Sequence, residues 1–365
     1  MAGYTDLTAR NSTSHISQRA EGTAGALPTV CFFARVPDPA LLDGMTFYSE
    51  DIAILKELGL QVRSATRLLD VPWTSKFYFV WWPGWGAFVV ALAKILGRRS
   101  VLISTVHYQD PLYGYHRRSA LERMLIRWAE RNASLVLPSS TLEYEGAVAL
   151  GAKNVHLVHH SIRVPEEVRA FEERESLVLS IGHMDYETAI ARKRFDNVIR
   201  AIPYVLERVP AARFIFAGRV SADCPLASLA RTLGVSDVVR FPGFISNVEK
   251  IRLLSSARVL AQPAAWEGFG VAQLEALAYG LPMVTSDGGA VREVVGECAL
   301  FCDKESPKDI GRKITRLLLD PEQWRTLSSS GHKRASALFS REVRKAKISH
   351  CLLQLGIRHQ VFSAH

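Results

Sequence analysis

Three observations in the sequence predict an α/β chain of two Rossmann-like domains. Short apolar runs alternate with helical stretches in two successive cycles, one beginning near residue 29 and the other near residue 176. Such alternation implies mostly parallel sheets with helices on both faces. Between the cycles lies a charged stretch, 163–175, with no strand pattern, which reads as a linker with a hinge near 165. The third observation is a strand, glycine-containing loop and helix over 257–282, a unit that places ligands at the carboxyl end of a strand.

The elements follow in order. Residues 1–27 are rich in Ser, Thr, Ala and Gly and read as a flexible tail. The first domain spans 28–162. It opens with a buried strand over 29–34, then a helix over about 49–58 that stops at Gly59, and a second strand beginning at 60. Residues 77–82 form a third strand ended by Pro83-Gly84, with a helix near 85–96. Residues 100–107 read as a strand ending in His107, and a basic helix over 117–131 leads to a strand at 135–140. The second domain spans 176–337, with strands at 177–182 and 212–218 around a helix at 196–208. The last segment, 338–365, contains a helix over about 341–355.

At 365 residues, with 48% hydrophobic and 9% aromatic residues, the chain has material for two substantial cores. A net charge of +9 permits an anionic partner. Nucleic acid is not expected, because Lys and Arg are spread through helices rather than clustered with aromatics. Arg117, Arg118, Arg123, Arg127 and Arg131 are a local exception. They form a solvated helix face, or one drawn to an anionic membrane surface or a pyrophosphate-bearing acceptor. Five cysteines form no dense framework, and Cys298 and Cys302 lack the partners of a zinc site, so reduced thiols and a cytoplasmic protein are expected. The longest apolar run, 81–96, is broken by Pro83, Gly84 and Gly86 and carries Lys94, so no membrane span and no secretory signal are expected.

The chemistry concentrates in 266–282. Glu267 and Glu275 stand eight positions apart, with Gly268 and Gly270 between them and a helix beginning near Val271. Glycines let a ligand approach the backbone, and the free N–H groups of a helix start attract anions. Phosphate at the helix end with a carboxylate on a ribose is nucleotide chemistry. A solvated loop glutamate and an ordinary helix carboxylate would fit either residue taken singly.

The surrounding residues resemble the E-x7-E signature of the retaining nucleotide-sugar glycosyltransferases of the GT-B fold, in which two Rossmann-like domains face each other across a cleft. The resemblance extends to 233–244 and 281–295, covers about 175–305 and is weak before residue 100. It implies that Glu275 accepts from the ribose hydroxyls and that Glu267 lies near the transferred sugar and its diphosphate. Gly268, Phe269, Gly270 and Val271 would form the donor loop. Lys193, in the Lys-Arg variant of the family's Lys-Gly/Arg segment, would contact the diphosphate. His107, in Thr105-Val106-His107, would face the sugar. The family usually carries an Arg where His183 stands; His183 could bond a phosphate, or Arg192, Arg194 or Arg219 could replace the missing cation. His160-Ser161 stands where the family usually has Asn-Gly. The resemblance also implies that the helix over about 341–355 packs back on the first domain.

No cofactor and no metal are implied, since cations and a helix end take the metal's place. The implied reaction moves a hexose, from GDP-mannose or UDP-glucose, to a glycan or lipid-linked acceptor at the inner face of a membrane. Trp73, Trp81, Trp82 and Trp85 either line an acceptor or membrane-facing surface or fill the core. A dehydrogenase is a poor fit, because no G-x-G-x-x-G follows the first strand. A sugar-nucleotide 2-epimerase would not be expected to carry both the Glu267–Glu275 and the Lys193 segments. A non-catalytic nucleotide-sugar binding protein is supported by His183 alone.

Overall fold

The structure, a computed structural model, describes residues 28–112, 114–221 and 223–359; the tail expected over 1–27 lies outside the described residues. The first half contains β1 (Thr29–Ala34), α1 (Leu41–Gly44), α2 (Thr46–Glu57), β2 (Gln61–Ala65), β3 (Phe77–Trp81), α3 (Pro83–Ile95), β4 (Arg99–Ser104), α4 (Ala120–Asn132), β5 (Leu135–Pro138) and α5 (Thr141–Leu150). Its five strands lie in the order β2-β1-β3-β4-β5, all parallel.

A strand buried on both faces alternates its side chains between two helical layers. In β3, Phe77, Phe79 and Trp81 join the core under α2, whereas Tyr78 and Val80 join the core under α3 and α4. Each such side chain contributes about 1.5–3 kcal/mol by leaving water.

The second half contains β6 (Glu175–Ile181), α6 (Glu187–Lys193), α7 (Phe195–Leu206), β7 (Arg213–Ala217), α8 (Pro225–Thr232), β8 (Val239–Gly243), α9 (Asn247–Ser256) and β9 (Ala257–Gln262). There follow α10 (Val271–Ala278), β10 (Met283–Thr285), α11 (Val291–Val295), β11 (Leu300–Phe301), α12 (Pro307–Leu319), α13 (Pro321–Phe339) and α14 (Arg341–Gln354). The sheet order is β11-β10-β9-β6-β7-β8, again parallel. Phe214 and Phe216 face a core with α7 and α12, and Leu177, Leu179 and Leu260 face one with α10 and α13. Among the described residues, no helix is long and apolar enough to cross a membrane.

Several boundaries differ from the sequence expectation. The basic helix starts at Ala120, because Ser119 caps it and exchanges bonds with Glu122, so Arg117 and Arg118 lie ahead of it. The strand expected to end in His107 ends at Ser104. Between β6 and Lys193 the chain forms α6, which ends where Arg194 turns left-handed at φ 56°. In the linker, Arg174 is buried and donates to the carbonyls of Leu254, Ala257 and Tyr279, so the charged stretch is pinned at its end.

The last helix returns to the first half. Ile348, Cys351 and Leu352 of α14 complete the core that holds Phe32 and Phe79. Arg344 is buried and forms a fork to both oxygens of Asp51 at 2.6 and 3.0 Å, while Nη1 donates to the carbonyls of Val158 and His159. Removing one partner of a buried pair leaves the other uncompensated. Asp51→Ala is therefore expected to lower the stability of the first half by about 3–5 kcal/mol. Chemical denaturation followed by the tryptophan fluorescence of that half measures it, and a loss under 1 kcal/mol would contradict the role given to this pair.

Candidate functional site

The strand orders reverse between β1 and β3 in one sheet and between β6 and β9 in the other. A crevice forms outside the carboxyl ends of strands at such a reversal. Here the two crevices face each other and make one cleft of about 500 Å³. Its walls are loops that leave strand ends: Trp82 after β3, Thr105 and His107 after β4, Ser139 after β5, Gly182 and His183 after β6, Gly218 after β7, and 267–272 after β9.

Glu267 sits on the floor, buried, with Lys193 Nζ 2.5 Å from Oε1 and Arg192 Nη1 3.1 Å from Oε2. Burial pushes its carboxyl upward, but the charges and hydrogen bonds of Lys193 and Arg192 outweigh that and hold it below the usual carboxylate range. The loop is fixed on its other side as well, since Glu267 N donates to Gly288 O and Glu267 O accepts from Ala290 N. Gly270 takes φ 102° as the residue capping α10, a conformation that L side chains rarely adopt. At Gly268 an added Cβ would stand 2.4 Å from His107 Cε1, so only glycine lets the two halves approach there.

His107 lies in the loop beyond β4 at φ 50°, and its N–H donates to both oxygens of the buried Glu143 at 3.1 Å. The imidazole Nδ1 is 3.0 Å from Glu143 Oε1 but without hydrogen-bond alignment. Ser140, which caps α5, donates to Gly268 O at 2.8 Å across the cleft. His160, buried, stacks on Trp81 and meets Phe269 edge-on; burial first, and then the charge of Arg344, keep it neutral.

Glu275, one turn into α10, is also buried. Its Oε1 accepts from Lys250 Nζ at 2.7 Å and from Thr46 Oγ1 of the first half at 2.5 Å. Lys250 Nζ also reaches Thr46 Oγ1 at 2.8 Å, closing a triangle.

Ten of the twelve residues singled out from sequence line this cleft: Glu267, Lys193, His107, Glu275, Gly268, Phe269, Gly270, Val271, His183 and Arg192. Arg219 lies at its rim, with Nε 3.2 Å from His183 Nδ1 and 3.4 Å from Asp185. Arg194 does not join them; it pairs with Glu305 at 2.6 Å outside the cleft, because its left-handed backbone turns the chain between α6 and α7. The tryptophans divide. Trp81 is core, Trp82 lines the cleft, and Trp73 and Trp85 are exposed.

Sequence reasoning missed Thr46, Asn247 and Lys250, which also line the cleft. Lys250 is 25 positions from Glu275 and Thr46 is 229, so no local spacing links them. The usable signal was a lysine four residues past Ser246, the cap of α9.

Residues 165–334 match the family model described as Glycosyl transferases group 1. The MMP alpha-(1->4)-mannosyltransferase of Mycolicibacterium hassiacum is 30% identical over 190 residues, which are 50% of this chain and 44% of that protein. The GDP-mannose-dependent monoacylated alpha-(1-6)-phosphatidylinositol monomannoside mannosyltransferase of Corynebacterium glutamicum is 26% identical over 196 residues, 50% of this chain and 51% of that protein. The match thus spans about half the length of these curated relatives. Among solved structures, Anabaena Alr3699/HepE in complex with UDP and glucose superposes with a TM-score of 0.70 at 16% identity, over 90% of this chain and 100% of that one. Sucrose-phosphate synthase from Thermosynechococcus elongatus gives 0.72 at 17% identity, over 90% and 99%. At such identities the likeness is one of fold, and the fold is GT-B. Residues 165–334, just under half of the chain, thus match the glycosyl transferases group 1 family, and the fold that carries them is GT-B.

Proposed function

We propose that this chain is a retaining hexosyltransferase that moves a hexose from a nucleotide sugar, of the GDP-mannose or UDP-glucose type, to a glycan or lipid-linked acceptor. The observation that carries this reading is the convergence of Lys193 and Arg192 on Glu267 beside the start of α10, at the floor of the cleft. Cleavage of the bond from anomeric carbon to diphosphate leaves negative charge on the phosphates. Fixed cations and a helix N-terminus in a partly enclosed site stabilise charge as it develops. The relatives named as mannosyltransferases, and the fold shared with a protein crystallised with UDP and glucose, support the donor class.

In this reading the diphosphate lies between Lys193, Arg192 and Arg219, and the glycine loop of Gly268 and Gly270 lets it approach the backbone. With three cations and a helix end available, the reading calls for no metal. The ribose hydroxyls replace Thr46 on Glu275, and Lys250 keeps that carboxylate oriented. The acceptor hydroxyl bonds to the anomeric carbon on the face the diphosphate leaves, and its proton passes to a phosphate oxygen of the leaving group. His107, held through its backbone by Glu143, positions the sugar.

His183 takes a specific part. Burial, and then the charge of Arg219, pull its imidazole down to about 4. It is therefore neutral near pH 7, and with Arg219 Nε–H directed at Nδ1 the ring proton sits on Nε2. Arg219 then supplies the cation usually found at this place, and His183 orients it.

Three outcomes test the reading. Titration calorimetry with UDP, GDP and ADP is expected to find micromolar binding of one nucleotide, lost in Glu275→Ala and weakened in Glu275→Gln; no binding of any would sink the proposal. Lys193→Ala is expected to lower kcat about 100- to 1,000-fold, by analogy with removing one charge-stabilising donor, and an unchanged kcat would remove Lys193 from the reaction. The His183 signal in an NMR titration is expected to have its midpoint near 4 in the free protein and to move upward with the nucleotide diphosphate bound. A free-protein midpoint near the ordinary histidine value of about 6.5 would contradict the neutral assignment.

A further inference from the structure

We infer that the outer face of α3 and α4 docks the protein on an anionic lipid surface, so that the cleft opens beside the membrane. The inference deepens the transferase reading, on which it rests for the acceptor alone.

Both helices belong to the layer on one side of the first sheet, where Ala87, Val89 and Ala93 of α3 and Ala129 of α4 face the core. Their opposite sides should be polar in a helix that only covers a sheet. They are not. On α3, Trp85 (47% exposed), Phe88 and Ile95 (82%) stand at spacings of three and seven, one stripe along the outer surface. On α4, Leu121 (62%), Met124 (60%) and Trp128 stand at spacings of three and four, a second stripe. Lys94 of α3 donates to Asn132 of α4 at 2.6 Å, which fastens the helices together and makes the stripes neighbours. Leu69 and Trp73, from the chain before β3, are exposed too, and Leu68 and Val71 beside them pack into the same layer's core.

The charge around the stripes is predominantly positive; Glu122 of α4 is held by Arg118 and by the cap of the helix, and Asp70 by Arg67. Arg98 and Arg99 follow α3, Arg117 precedes α4, and Arg127 and Arg131 lie on its exposed side. None of these five forms an ion pair among the described residues. Glu130, an acid of the same helix, is turned inward, buried and bonded to Ser104. Exposed aromatic and aliphatic side chains with a rim of cations match a layer whose surface is anionic and whose interior is apolar. The tryptophans suit such a layer, since one end of the indole is apolar and the other can stay wet at the headgroup level.

Position relative to the cleft fits the same partner. Trp82, just before α3, lines the cleft, and Trp85 stands on the outer face one turn later. Arg118, just before α4, also lines the cleft, and Leu121 stands outside one turn on. Both stripes therefore begin at the cleft's edge. An acceptor anchored in lipid would reach the floor without leaving the surface.

The test is sedimentation of the full chain with vesicles of phosphatidylcholine, with and without phosphatidylglycerol. Binding is expected with phosphatidylglycerol only and to weaken at high salt. The doubles Trp85→Ser/Trp128→Ser and Arg99→Glu/Arg127→Glu are each expected to reduce it at least tenfold, with melting temperature and nucleotide binding retained. Equal binding to both vesicle types, no binding, or wild-type binding by both doubles would overturn the proposal. So would a dimer in solution that the tryptophan double dissolves while vesicles are ignored, since the face would then be a subunit interface. Vesicle binding without nucleotide binding would instead sink the transferase reading and leave this face standing.

Discussion

The carboxylate of Glu267 is the point on which the architecture of the cleft turns. It is buried and fully compensated, with one oxygen on Lys193 and the other on Arg192. A buried ion cluster adds little to stability over an apolar packing of the same shape, whereas breaking one is costly. Its value here is positional. The cluster joins the loop after β9 to the end of α6, and the backbone of Glu267 joins that loop to the one after β10 through Gly288 and Ala290. Arg192 O accepts from Ala265 N at 2.7 Å, so the attachment is made twice. Three loops from three strands are thereby held in one place, and two cations are presented to the cleft already oriented.

The halves meet across the cleft through polar groups, which suits a surface that must exchange its partners. Thr141 donates to Glu293 from both N–H and Oγ1, and His159 Nε2 is 2.8 Å from the same carboxylate. Thr46 reaches Glu275, Ser140 reaches Gly268, and Asn247 donates to Asp43 O. Hydrogen bonds of this kind are each modest in net strength and can be replaced by water or ligand. Relative motion of domains is the ordinary expectation for such an interface. Aromatic contact between the halves near the cleft is made by Phe269 against His160 and His159 and by Phe339 against His159, close to the two chain crossings.

Much of this was legible in the sequence because its signals are local. Strands buried on both faces announce themselves as apolar runs, and Gly270 marks the start of α10, whereas the equally local capping pair Ser119 and Glu122 sets the start of α4 three residues later than the run of arginines suggests. Glu267 and Glu275 were readable because the loop and first turn that separate them have fixed geometry. What was not readable depends on chain segments far apart. Thr46 and Lys250 acquire a place at Glu275 only when both sheets are assembled, and Arg194 loses its place through a left-handed backbone that the letters Lys-Arg-Phe do not signal. His107 illustrates the middle case. Its neighbourhood was evident, but the strand stops three residues earlier and a turn delivers it to the cleft.

The return of α14 has a bearing on how the molecule comes into being. Side chains from β1 and β3 share a core with Ile348 and Leu352, and Arg344 compensates Asp51, which would otherwise be an unpaired buried carboxyl inside the first half. A ribosome releases Phe32 long before it releases Leu352. Domains that emerge first ordinarily fold first, yet this one has a gap in its interior that only the last turns of the chain can fill. The core of the first half is complete only once those last turns are present. The final helix then works as the closing stitch of synthesis, crossing beside the outgoing strand where Ile162 pairs with Ser340. A polypeptide cut short before that stitch would carry a finished second domain attached to an unfinished first one, a state that quality-control proteases read as exposed apolar surface.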